Sequence, residues 1–289
     1  MTKLESTKKL LLLTACAILG SSAFAHTTIL HTDDMALSRA ADVDLSIVFT
    51  HATDGGPTMP MEVQSFSNYS GRYISMEERD LMDTLTPVQW LNSTDEEGNE
   101  DRVRAYKASI ERDQLRNIGD HQLVLVTEPY FDVNDNLYIQ QFVKTILNVG
   151  GGQSNWFTTL GLPTEIMPLK TPYANWVGET FSGVVLSEGE PVPFARLEID
   201  YINYAVDPEN AQFGEEPFIA PSHPSYKYIS MIANENGEFH FGIPAPGWWA
   251  IAALGTGPET SLEGEYFSQD AILWVYATEA PLTEAGRNQ

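Results

Sequence analysis

What most limits the folds open to this chain is that almost no stretch carries a long apolar stripe at helical spacing. Apolar residues come instead in short runs, among them "VDLSIVF", "HQLVLV", "LYIQQFVKTIL", "FSGVVL", "ARLEIDYI", "EFHFGI", "WWAIAAL" and "AILWVYA". The runs alternate or are dense in β-branched and aromatic residues, and Gly, Pro, Asn and Asp separate them, as strands joined by turns require. Short strands at regular spacing build sandwiches. The expected fold is therefore all-β: two consecutive β-sandwich domains, residues 26–160 and 177–289, the second Ig-like or transthyretin-like. Residues 161–176, "GLPTEIMPLKTPYANW", hold three prolines and no clear period, and read as a linker. The best short-helix candidate is "MEERDLMDTL", residues 76–85, with Ser75 as N-cap and Glu78 completing a capping box. "RNIGDHQLVLV" and "PAPGWWAIAAL" share a turn glycine shortly before His or an aromatic residue and an apolar strand. In sandwiches such a spot holds a corner residue that bonds back to the backbone.

At the front, Lys8 and Lys9 precede "LLLLTACAIL" and then "GSSAFA", the basic, apolar and small-residue regions of a secretory signal peptide. Cleavage after Ala25 makes His26 the first residue of a 264-residue periplasmic protein. The alternative is a lipobox, "LTAC", with lipid attached at Cys16, the only cysteine of the chain. After cleavage at Ala25 no cysteine is left, so disulfides and thiolate chemistry are excluded and stability rests on a core. Residues 1–25 carry Lys3, Lys8 and Lys9 against Glu5, a net +2, so their removal takes the formal charge from −24 to −26. Such a surface repels nucleic acid and anionic lipid and attracts cations.

His26, as a terminal residue, offers both an α-amine and an imidazole, a bidentate pair that binds a metal when both are neutral. Imidazole suits nickel, cobalt, copper and zinc. His31 is five residues on, the opposite face of a regular strand, so sharing an ion with His26 needs a bend. His51 ends "LSIVFTH" and faces the glycine loop of "ATDGGPTMPM", where Met59 and Met61 read as packing. His121 reads as a corner residue, His223 as a loop residue, and His240, alternating with Phe239 and Phe241, as a surface one. "DVNDN", 132–136, lacks the glycine and glutamate of a calcium loop and reads as a turn, and "TDEEGNED", 94–101, as a solvated acidic loop. Of Trp248 and Trp249, adjacent on a strand, at most one reaches a single core. No G-x-S-x-G, H-E-x-x-H or phosphate-loop motif is present, and no enzymatic activity is expected.

"FTHATDGGPTMPM" (49–61), "GLPTEIMPLKTPYANWVGETFSGVVL" (161–186), "PVPFARLEIDYIN" (191–203), "NGEFHFGIPAPGWWAIAAL" (236–254) and "AILWVYA" (271–277) together resemble the DUF4198 family of exported bacterial proteins. The resemblance implies a periplasmic component of a cobalt or nickel uptake system, with a divalent transition-metal ion as cargo and a membrane-embedded transporter as partner. The chain departs from the pattern at "YIQQFVK", where Gln140 and Gln141 stand in a strand in which the family carries a histidine, so that position adds no ligand. The expected metal ligands are His26, His31 and His51, for nickel or cobalt. Two other readings remain open: a metal-free adhesion or scaffold module, and a copper oxidase with a histidine brace.

Overall fold

The computed structural model describes residues 26–72 and 75–282; the expected signal segment, with Cys16 and the Ala25 cleavage site, lies outside the described residues. The chain runs through β1 (Thr27–His31), β2 (Ala36–Leu37), β3 (Val43–Thr50), β4 (Thr58–Met59), β5 (Val63–Arg72), β6 (Ser75–Asp80), β7 (Leu85–Thr94), β8 (Glu100–Ile110), β9 (Gly119–Thr127), β10 (Tyr130–Asp132) and β11 (Leu137–Val149). It continues through β12 (Thr164–Pro168), β13 (Asn175–Trp176), β14 (Thr180–Ser187), β15 (Glu190–Pro191), β16 (Arg196–Tyr201), β17 (Tyr204–Asp207) and β18 (Gln212–Pro217). It ends with β19 (Ile229–Ile232), β20 (Glu238–Gly242), β21 (Gly247–Ala253), β22 (Ser261–Leu262) and β23 (Glu265–Thr278). The fold is all-β and layered as a sandwich. A long sheet ordered β19-β16-β21-β23-β11-β9-β5-β6 forms the middle. Smaller sheets, β1-β3-β8-β7 and β12-β14-β15, cover its two faces.

Strands buried on both faces lose the polar alternation of a half-exposed strand. β23 shows this: Ile272 and Trp274 enter one core with Ile29, Ile47 and Val143, while Leu273 and Val275 enter the other with Ile166, Phe181 and Val185. Trp248 and Trp249 divide in the same way, one to each core, and both are buried. A single core could not have taken both, and the second covering sheet supplies the other.

The halves of the chain meet where β11 pairs in parallel with β23, from Leu137↔Tyr266 to Thr145↔Trp274, so the long sheet is continuous across residues 161–176. Those residues, expected as a linker, hold β12 and β13, with Thr164, Glu165 and Ile166 buried. Pro168 is tolerated because β12 is an edge strand, paired on one side with β14.

The helix expected over 76–85 is not formed. Residues 75–80 pair with β5, Ser67↔Asp80 to Arg72↔Ser75, and one 3-10 turn, Met82–Thr84, follows. Glu78 accepts a hydrogen bond from Ser67 Oγ across the ladder at 2.9 Å instead of capping a helix. A ten-residue helix alone would bear the full nucleation cost, whereas the edge of β5 is already in place.

Both corner residues bond back as the shared pattern predicts. His121 Nε2 lies 2.9 Å from the Asn117 carbonyl and Trp249 Nε1 donates to the Ala245 carbonyl at 3.0 Å, each reaching four residues back. His121 Nδ1, 3.0 Å from Asn68 Nδ2, accepts, which leaves the proton on Nε2 to donate.

Candidate metal centre

The site begins with the edge of β1. Its pairing with β3 sets Thr27 opposite Thr50, which brings His26 and His51, the residues just beyond that pair, side by side. Their ring centroids are 4.3 Å apart at an interplanar angle of 54°. Phe49 lies 5.6 Å from the His26 ring and stacks edge-on against Tyr130 at 5.4 Å, walling one side.

The outer edge of β1 does not stay open. Gln141, in the middle of β11, accepts from Thr28 N at 2.8 Å and donates from its amide nitrogen to the His26 carbonyl. Trp274 Nε1 donates to the Thr28 carbonyl at 2.9 Å, and Thr145 Oγ1 to that of Leu30 at 3.4 Å. Side chains of the long sheet thus replace a missing neighbour strand. A residue at the start of a strand, prone to fray, is held from both sides.

The His51 end is a turn that needs glycine. Asp54 N and Gly56 N both donate to the His51 carbonyl, at 3.0 and 3.3 Å, and Gly55 has φ +66°. A Cβ at Gly55 would come within 2.8 Å of the Tyr204 ring. The same turn is tied to the C-terminal half. Thr53 donates from N (3.0 Å) and from its hydroxyl to the buried Asp200 carboxylate, and Asp54 accepts from Lys227 and from the Tyr228 hydroxyl.

A third group faces His26: Asp132 Oδ2 is 3.6 Å from His26 Nδ1. That is too long for a hydrogen bond, and the pair is not ionic at neutral pH either. Burial, with His51 beside it, lowers the His26 pKa to about 4 despite the opposing pull of Asp132. Burial likewise lowers His51, against Asp200, Asp54 and Asp132. Both imidazoles are therefore neutral at pH 7, the form that binds metal. Two neutral imidazoles and a carboxylate fit a borderline transition metal. Among the described residues no three His, Cys, Asp or Glu side chains are already set as a metal cluster, so the fit needs a further donor such as the His26 amine.

His31 does not join them. It closes β1 opposite Ser46, five residues from His26, or about 17 Å along a strand at ~3.4 Å per residue. Its ring lies 5.6 Å from that of Trp248. Met59 and Met61 are buried in the core. His240 is exposed beside Ser182, and His223 caps the turn at Pro224–Tyr226. Asp132, expected as part of a turn, does make that turn through Oδ1, accepting from Asn134 N at 2.8 Å, while Oδ2 faces His26.

The pKa of His31 is lowered by burial to about 4, against the pull of Asp33. A histidine depressed below its unfolded value of about 6.5 takes up its proton only on unfolding between those two values. Stability is then fully present above pH 6.5 and is lost as pH falls toward 4, at up to about 1.4 kcal/mol per pH unit for each such group. Asp270, raised to about 6 by burial, acts in the opposite sense from about pH 6 down to its unfolded value near 4, all of that window but its top. His31→Gln is expected to flatten the fall in stability between pH 6.5 and 4.5 by one proton's share, read from urea unfolding at several pH values. An unchanged slope would contradict the neutral, buried state of His31.

No curated protein matches the chain. Among solved structures it is similar to the D0-D1 domain of intimin, at 10% identity over 85% of this chain and 96% of that one, TM-score 0.20. It is also similar to the Yersinia pseudotuberculosis adhesin InvE, at 11% identity over 90% and 65%, TM-score 0.22. At these TM-scores the likeness carries no argument. The sequence profile of the family described as "Domain of unknown function (DUF4198)" matches residues 23–257, well over half of the chain, and the protein belongs to that family.

Proposed function

We propose that the protein is exported to the periplasm, cleaved after Ala25, and binds one divalent transition-metal ion through the His26 amine and imidazole, the His51 imidazole and Asp132. The cargo we propose is nickel or cobalt, held for a membrane-embedded uptake transporter in a binding role without catalysis. The observation that carries this reading is the 4.3 Å approach of His26 and His51 beside Asp132. The formal charge of −24 supports it by raising the local concentration of cations. His31 is not part of the proposed donor set.

Calorimetry of the exported protein with Ni, Co, Cu and Zn tests the reading. One site with a Kd below about 1 μM, or about −8 kcal/mol, is expected. Copper binds tightest in vitro whatever the cargo, by the general order of divalent affinities. Absence of any binding in that range ends the proposal. A copper oxidase would draw on a similar donor set, and copper-dependent oxidation of chitin or cellulose separates the two.

A further inference from the structure

We propose that the groove at the far end of β1, where His31 joins two recesses, is a binding site for a short oligosaccharide. It is distinct from the His26–His51 site and fills with or without a metal ion.

The first recess, of about 530 Å³, is lined by the aromatic side chains of Tyr204, Phe218, Trp248 and Tyr276 together with His31. The second, of about 380 Å³, is polar: Asp33, Ser46 and Lys107 line it, and His31 again. Each volume falls within the range of about 300–1,000 Å³ for small-ligand sites.

The fold holds these groups in place. The Trp248 ring, on β21, lies 5.4 Å from that of Tyr276 and 5.6 Å from that of His31. Tyr204 opens β17, which pairs with β18 in a sheet of two strands. A lone hairpin is marginal in water, and Asn203 clamps this one. Phe218 N donates to the Asn203 carbonyl at 2.7 Å, Ile219 N donates to Asn203 Oδ1 at 2.7 Å, and Asn203 Nδ2 donates to the Ile219 carbonyl at 3.0 Å. Phe218 is thereby held at the surface, 61% exposed, although it belongs to none of the cores.

His31 identifies the occupant. Burial keeps its ring neutral at pH 7, so one nitrogen donates and the other accepts. Among the described residues nothing hydrogen-bonds to that ring, which meets the Trp248 ring and the charge of Asp33. A sugar hydroxyl also both donates and accepts. A pyranose carries C–H groups on its faces, which pack against aromatic rings, and hydroxyls round its edge, for which His31, Asp33 and Lys107 are partners. A quaternary ammonium ion would suit the aromatic side chains, but it offers the imidazole no hydrogen bond. An aliphatic chain offers none either.

Calorimetry of the exported protein, stripped of metal by a chelator, with cellohexaose, maltohexaose and chitohexaose tests this. At least one is expected to bind with a Kd of about 1 mM or tighter. Phe218→Ala, at an exposed position, is expected to weaken that binding about tenfold. His31→Ala is expected to weaken it by a similar factor, and His31→Gln, which keeps a donor and an acceptor, to recover most of the affinity. His26→Ala, which removes a metal donor, is expected to leave it unchanged. Binding of none of the three saccharides overturns the proposal. So does an affinity that F218A and H31A leave intact, a loss on His26→Ala equal to theirs, or tetramethylammonium binding in the saccharide's place.

Discussion

Lys144→Met is expected to cost about 3–5 kcal/mol of stability, the range for breaking a buried ion pair by removal of one partner. Lys144 sits in the middle of β11 and Glu165 near the start of β12, with Nζ and Oε2 2.9 Å apart and side chains 1% and 0% exposed. Glu165 also accepts from Leu160 N at 3.0 Å and Gly161 N at 3.0 Å. The pair therefore ties the long sheet to the covering sheet and organises the chain that joins them. Methionine leaves a carboxylate in the interior with two backbone donors and no cation. Glu165→Gln leaves an ammonium instead. The double variant K144M/E165Q removes both charges and keeps an amide oxygen for Leu160 and Gly161. Its loss is expected to be smaller than the sum of the single losses by about 0.5–3 kcal/mol, the range of coupling between residues in contact. Urea unfolding of the four proteins measures this. Additive losses of under about 1 kcal/mol would mean that burial of Ile166 and its neighbours holds β12 without the charges.

His26→Ala and His51→Ala are each expected to weaken nickel binding by at least about 100-fold, or about 2.7 kcal/mol. Each removes one imidazole from a site with few donors, and the remaining groups are fixed by the backbone and cannot close the gap. The turn at His51 is bound through Thr53 and Asp54, and His26 through Gln141, so neither alanine should disturb the strand pairing. His31→Ala is expected to leave affinity within about twofold, since His31 lies at the far end of β1. Competition titration against a chelator of known affinity reads all three. A loss on His31→Ala equal to the others would place the ion elsewhere.

Much of this was legible in the sequence, and the rest was hidden for identifiable reasons. Period-two runs and turn residues gave the all-β sandwich because that signal is local. The corner role of His121 was legible for the same reason: the glycine and the strand that define it lie within a few residues. The helix over 76–85 failed because Glu78 has a cross-strand partner, Ser67, that no local pattern reveals. The linker reading failed at Glu165, a charged residue whose burial depends on Lys144, 21 positions away. The sequence shows what His26 and His51 each offer alone, and only the β1–β3 register, Thr27↔Thr50, sets them together. The same strand carries His31 away, as its five-residue offset already warned. The motif around Asp132 signals only the turn that one of its oxygens makes, and nothing local shows that the other faces His26. In the sequence Gln141 shows only as the absence of a ligand, yet it holds the start of β1.

The most direct test of the central claim is a crystal structure of the exported protein, beginning at His26, grown with nickel and phased at the nickel absorption edge. One strong anomalous peak is expected, bonded to the His26 amine and imidazole and to the His51 imidazole, with Asp132 at coordination distance. A peak beside His31 instead, or no peak between the His26 and His51 rings, would contradict it.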